Sequence, residues 1–152
     1  MYFFQIRPLG QALISLAFIV YTLVAINQLS NTDALNADSL KTLFWQAGIV
    51  LIIAEIVFHA SLAIAFWKQV DSGEDERDHA IEQKAVVQSN YAHGGLLLVI
   101  FLAALGHERV PTELYFAELA PHYNIAILAA MGYLLIDAIK HGAQTLAYFR
   151  AS

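Results

Sequence analysis

Hydrophobic residues occur along this chain in four long blocks separated by short polar stretches. The blocks lie at about residues 9–29, 43–67, 85–106 and 124–149. Each spans about 20 residues or more, the length with which a helix crosses the ~30 Å hydrocarbon layer of a membrane. Lipid cannot hydrogen-bond to open backbone groups, so a segment that crosses it has to be helical. The pattern therefore predicts an all-α fold, an integral membrane four-helix bundle.

The residues next to the blocks set the predicted helix boundaries. We expect helices over residues 9–29, 43–67, 74–106 and 122–149 in a single transmembrane domain, 1–152. The third helix begins early because no proline or glycine interrupts the chain between Gly73 and Gly94. Its first turns should extend into the cytoplasm. Pro111, followed by apolar residues at helical spacing, predicts a short interfacial helix over residues 111–119 on the outer side.

Composition supports a membrane protein and excludes several other classes. Hydrophobic residues make up 59% of the chain and charged residues 14%, against about 45–50% and 25% in soluble domains. The chain has no cysteine, which excludes disulfides, thiolate metal sites and thiol catalysis. The net charge is −5, and without a basic face we expect no nucleic-acid partner.

The distribution of Lys and Arg predicts the orientation of the helices. With the N-terminus inside, six of the eight cations flank the cytoplasmic ends and only Lys41 and Arg109 flank the outer ends. Positive charge near helix ends favours the cytoplasmic side. We therefore expect a multi-pass protein of a prokaryotic cytoplasmic (inner) membrane with both termini in the cytoplasm. The cytoplasmic cations are Arg7, Lys68, Arg77, Lys84, Lys140 and Arg150.

Ionisable residues inside the blocks are candidates for a functional site, because charge within a membrane is costly. Glu55 and His59 are four residues apart and so share one helix face, and the same holds for Asp137 and His141. His93 lies in the third block. Counted from the helix ends at 1.5 Å per residue, these groups should reach similar depths in the cytoplasmic half.

Four interpretations of this cluster remain open. It could be a structural hydrogen-bonded network, a proton or ion pathway, a metal or haem site, or a site for a small molecule or lipid. Two His on different helices could clamp a haem b, with His59 and His93 as the pair to test and His141 as a third candidate. A divalent metal would use carboxylates as well. The predicted metal ligands are Glu55, His59, His93, Asp137 and His141.

No residue is predicted to be catalytic. No serine stands in a nucleophile motif, and the spacing of the His and acidic residues matches no specific metal motif. We therefore expect a protein that is more plausibly not an enzyme.

Six of the thirteen acidic residues lie between Asp71 and Glu82, just before the third block. Here the chain reads Asp75-Glu76-Arg77-Asp78, then Ile81-Glu82 and Lys84-Ala85. Acids at the start of a helix favour its positive dipole end. We expect this segment to be a cytoplasmic contact motif made of Asp75, Glu76, Arg77, Asp78, Ile81, Glu82 and Lys84.

The same string resembles the D-E-R-D-x-x-I-E-x-K-A signature of a prokaryotic family of small, functionally uncharacterised membrane proteins with paired hydrophobic helices. Some members are encoded beside helix-turn-helix regulators, so the resemblance implies membrane-linked regulation rather than metabolism. It covers about eleven residues and implies no role for the buried His and acidic residues.

The sequence thus predicts a small, non-enzymatic binding or regulatory protein of the membrane. We expect it to self-associate or to contact a membrane-protein partner through its acidic cytoplasmic helix. A haem- or metal-binding redox protein is the alternative, and a proton or ion conduit is the third reading.

Overall fold

The computed structural model describes residues 3–68, 76–105 and 119–151. Its regular elements are four α-helices: α1 (Phe3–Asn31), α2 (Ala37–Ala65), α3 (Glu76–Leu105) and α4 (Pro121–Ala151). All four are long and apolar enough to cross a membrane. Within the described residues no strand occurs, and the predicted all-α fold with four membrane-length helices is confirmed.

Helices α1 and α2 begin about six residues earlier than the apolar blocks suggested. Helix α2 starts at Ala37 because Asn36 caps it: the Asn36 side chain accepts hydrogen bonds from the backbone N–H groups of Asp38 and Ser39. The Ser39 hydroxyl in turn accepts from the Asn36 N–H at 3.0 Å, which completes a capping box. The cap is polar, so a search for apolar residues does not detect it.

The connection from α1 to α2 is a tight, fully bonded turn. Asp33 adopts a positive φ of 54°, a conformation that Asp tolerates better than most residues. The Ala34 N–H bonds back to the Leu29 carbonyl at 2.9 Å, and the Asp33 N–H bonds to the Ser30 carbonyl at 3.1 Å. These two bonds form a Schellman motif, which satisfies the carbonyls at the end of α1.

The helices pack in the order α2–α1–α4–α3. The main contacts join α1 to α4, α3 to α4 and α1 to α2. Helices α1 and α4 are therefore central, and α2 and α3 flank them. Polar side chains on α2 and α3 consequently meet different neighbours.

The buried faces of the two central helices repeat every three or four residues, the spacing of a left-handed coiled-coil seam. On both helices this face is rich in small and polar side chains. Buried positions on α1 include Gln5, Pro8, Ala12, Ser15, Thr22 and Ile26. On α4 they include Asn124, Ile127, Ala138, His141, Thr145 and Tyr148.

Large apolar side chains point outward instead. Ile52 is 61% exposed, Leu97 66% and Ile139 61%. A soluble protein would bury such residues, whereas in lipid they face a solvent as apolar as themselves, and small or polar residues form the helix contacts. This distribution identifies a membrane protein independently of helix length.

The end of the molecule away from the termini has an apolar core. Its buried cluster joins the end of α1, the α1–α2 turn, the start of α2 and the start of α4; its members are Ile26, Leu35, Leu40, Leu43, Leu119 and Ile127. Leu119 is the last residue of the predicted interfacial helix 111–119, and the other residues of that segment lie outside the described part of the chain.

Two glycines allow close helix contacts. A methyl group added at Gly10 of α1 would overlap three ring atoms of Phe58 on α2, and one added at Gly132 of α4 would overlap Leu96 on α3. At Gly94, Gly95 and Gly142, by contrast, an added methyl group meets nothing within 4 Å. Their faces are open within the chain.

The change Gly10→Ala should destabilise the protein by about 1–3 kcal/mol, because the added methyl group overpacks the α1–α2 contact. Gly48→Ala is the matched control, since a methyl group there meets nothing within 4 Å. It should leave stability unchanged or raise it by up to about 1 kcal/mol through helix propensity. Unfolding in detergent measures both changes, and equal effects would contradict the close α1–α2 contact.

Candidate functional site

A polar network joins the two central helices near the middle of α4. The Ser15 hydroxyl of α1 donates a hydrogen bond of 2.7 Å to Asp137 Oδ2. The other carboxylate oxygen, Oδ1, lies 3.3 Å from His141 Nε2, one turn further along α4. Asp137 is thus held from both sides, by a hydroxyl and by an imidazole. A carboxylate inside a membrane needs partners of this kind.

The network continues from His141 toward the end of α4. His141 Nδ1 lies 2.7 Å from Gln144 Oε1, and the Thr145 hydroxyl donates to the His141 carbonyl at 2.8 Å. The His141, Gln144 and Thr145 side chains are all buried. Each ring nitrogen of His141 therefore lies within hydrogen-bond distance of a side-chain oxygen.

A second network joins α1 to α2. Gln11 Nε2 lies 3.2 Å from His59 Nε2, and the same His59 nitrogen lies 3.2 Å from Glu55 Oε2. These side chains are more open than those around Asp137: His59 is 38% exposed and Glu55 is 29% exposed. Gln11 and Ser15 are one turn apart on α1, so neighbouring positions of one helix hold both networks.

His93 of α3 belongs to neither network and lies at the contact between α3 and α4. Its ring contacts Tyr133 of α4 with centroids 5.3 Å apart and an interplanar angle of 45°. Its Nε2 atom is buried and has no hydrogen-bond partner among the described residues. The structure therefore packs His93 against α4 and packs His59 against α1.

The five predicted metal ligands are thus divided among three contacts. The two predicted pairs are each in contact within their own helix: Glu55 and His59 approach to 3.2 Å, and Asp137 and His141 to 3.3 Å. In the described residues no three His, Asp or Glu side chains lie close enough together to hold a metal ion. The residues that join the networks to α1 and to the end of α4 are Gln11, Ser15 and Gln144, which the sequence analysis did not single out.

A polar cavity of about 250 Å³ opens beside the Asp137 network. It lies at the end of the bundle that carries both chain termini, between α1, the first turns of α3 and the last turns of α4. Asp137 and Glu82 supply negative charge, and Lys140 and His141 supply positive charge or hydrogen-bond donors. The remaining lining residues are Phe4, Arg7, Pro8, Gln11, Gln144 and Tyr148.

The predicted contact motif lies against this end of the molecule. Glu76, Arg77 and Lys84 are exposed, and Ile81 and Glu82 are half-buried. Asp78 is only 6% exposed, so its side chain is covered by the rest of the chain. Asp75 lies outside the described residues. Part of the motif therefore packs on the bundle, and part of it remains accessible.

No family model matches the chain, and no curated protein or solved structure is found to be similar to it. The resemblance of residues 75–85 to a family signature stays a prediction. The class of protein follows from the fold itself: a four-helix membrane protein with a polar network between its central helices.

The haem and metal alternative has a direct spectroscopic test. The geometry predicts a purified protein without a Soret band and with iron and zinc well below one equivalent, since the candidate ligands are spread over three helix contacts. Stoichiometric metal, or a Soret band that His59→Ala and His93→Ala both abolish, would establish the alternative instead.

Proposed function

We propose that this chain is a small, non-enzymatic binding protein of a prokaryotic cytoplasmic membrane, with both termini in the cytoplasm. The distribution of Lys and Arg supports this orientation: Arg7 and Lys140 line the polar cavity at the terminal end, and Arg150 ends α4 at that end. Lys41 lies at the opposite end, where it pairs with Asp38 at 3.7 Å. Positive charge near helix ends favours the cytoplasmic side.

The observation that carries the proposal is the polar cavity next to the Asp137 network. A buried network made only for stability would be expected to close upon itself, whereas this one has Asp137, His141 and Gln144 at the wall of a cavity. At about 250 Å³ the cavity is below the ~300–1,000 Å³ usual for drug-sized ligands. Its charges of both signs suit a small solute that carries an ammonium group and a carboxylate.

Apolar packing at the other end favours binding over conduction. The contacts near Ile26, Leu43 and Ile127 form a hydrophobic cluster, and such a cluster is a barrier to ions and protons. The polar groups thus form a site entered from one side. A proton or ion conduit would need a continuous line of polar side chains through this cluster.

Free amino acids are the simplest solutes with both charges and a suitable size, and a thermal-shift panel of the twenty tests binding. We expect at least one to raise the melting temperature by about 5 °C or more at saturation. Asp137→Asn/Glu82→Gln should abolish the shift, because the cavity then has no carboxylate to pair with an ammonium group. Asp38→Asn, at the opposite end, should retain it. A panel without any shift on folded protein would contradict the proposed ligand class.

We also propose that the protein self-associates and that the accessible start of α3 is its contact element. Two observations support this: Glu76 and Arg77 are exposed, and α3 is about 45 Å long, about 15 Å more than the hydrocarbon layer. The faces of Gly94 and Gly95 are also open to a second copy. A ligand bound beside Glu82 would contact the same helix, α3. Ligand binding would then alter the contact element and thereby regulate self-association.

Light scattering in detergent measures the number of copies. The double change Glu76→Ala/Arg77→Ala should shift the mass toward that of one chain. Asp38→Ala/Lys41→Ala is the matched control, because it removes an exposed acid and cation from the first turns of α2 and should leave the mass unchanged. A single-chain mass for the unaltered protein would refute self-association.

A further inference from the structure

A second cavity lies between the first turns of α3 and the last turns of α4. Its volume is about 460 Å³, and of its lining residues it shares Gln144 with the cavity beside Asp137. Three of its lining residues are cationic, Arg77, Lys84 and Arg150, and no acidic side chain in the described part of the chain lines it. The positive charge of Lys84 and Arg150 favours a negatively charged occupant.

Apart from Gln88 and Gln144, the rest of the lining is apolar. Ile81 and Ala85 of α3 face Ala147 of α4 across the cavity, with Leu146 beside them. Leu146 is 58% exposed, so the apolar floor continues onto the lipid-facing surface. A small soluble anion has no apolar part that would pack against these side chains. A molecule with an anionic head and a hydrocarbon chain would cover both parts of it.

The cations lie at the level where lipid headgroups are found. Helices α3 and α4 contain 30 and 31 residues, so each is about 45 Å long against a hydrocarbon layer of about 30 Å. Lys84 lies about 12 Å from the start of α3, and Arg150 is at the end of α4. Both are exposed and both are long enough to reach a phosphate at the boundary of the hydrocarbon.

We propose that this cavity is a binding site for an anionic phospholipid. The lipid phosphate accepts hydrogen bonds from Lys84 and Arg150, with Arg77 adding positive charge nearby. The first part of an acyl chain lies on Ala85, Ala147 and Leu146 and continues into the bilayer. The site therefore recognises the charge of the headgroup together with the attached chain. This goes beyond the proposed solute site, whose cavity has charges of both signs.

Native mass spectrometry with added lipid tests the site on the whole protein. Phosphatidylglycerol should bind at one high-affinity position, and phosphatidylcholine with the same acyl chains should bind much more weakly. The double change Lys84→Gln/Arg150→Gln should weaken phosphatidylglycerol binding about twenty-fivefold, since each cation near a membrane surface is worth about a fivefold change. Lys84→Arg/Arg150→Lys should restore it.

The matched control is Lys41→Gln/Lys68→Gln, which removes two exposed cations that do not line the cavity. It should leave the affinity within about twofold of the unaltered value. If the first double variant does not fold, Lys84→Gln and Arg150→Gln separately give the same comparison at about fivefold each.

Three results would overturn the proposal. Equal affinity for the two phospholipids would show that headgroup charge is not recognised. An unchanged affinity in the folded Lys84→Gln/Arg150→Gln variant would place the lipid elsewhere. Competition by soluble glycerol phosphate at the same concentration as the lipid would show that the site takes a free phosphate rather than a membrane lipid.

Discussion

A carboxylate near the middle of a membrane-spanning helix has to find its hydrogen-bond partners within the protein. In this structure the carboxylate is that of Asp137, and the packing of the helices supplies its partners. An unpaired charge at this depth costs about 2.5–3.5 kcal/mol on insertion scales and more on an isolated helix. Ser15 of α1 and His141 of α4 contact its two oxygens. The hydrogen bonds to Asp137 therefore require α1 and α4, the first and last helices in the chain, to lie side by side.

This central pairing explains the arrangement of the other parts. The seam of α1 and α4 is built from small and polar residues, so the large apolar side chains are left for the lipid. Helices α2 and α3 add to the outer sides of the pair through their own close contacts, at Gly10 with Phe58 and at Gly132 with Leu96. The two ends of the seam differ. The Asp137 network and its cavity lie toward the termini, whereas at the other end a hydrophobic cluster lies beside a separate cavity of about 430 Å³ between α1 and α2.

Much of the fold could be predicted from the sequence, because membrane helices are specified by long apolar runs that need no tertiary information. The i, i+4 pairs Glu55–His59 and Asp137–His141 were equally accessible, since both partners lie on one helix. Whether the two pairs share one site could not be predicted, and the structure places them in separate contacts. It depends on which face of each helix meets which neighbour, and α2 and α3 flank opposite central helices. Ser15 and Gln11 could not be identified as site residues from the sequence, because a single neutral polar residue in an apolar run does not indicate which side chain it will contact.

Water access along one turn of α4 is the most direct test of the polar seam between α1 and α4. The chain has no cysteine, so a single introduced thiol reports on its own position. Lys140 lines the polar cavity, and Ile139 beside it faces outward with 61% of its surface exposed. A membrane-impermeant maleimide should label Lys140→Cys in inside-out vesicles only, and should leave Ile139→Cys unlabelled in either orientation because lipid covers it. Labelling of both positions, or of Ile139→Cys alone, would contradict the proposal that the polar seam opens to water on the cytoplasmic side.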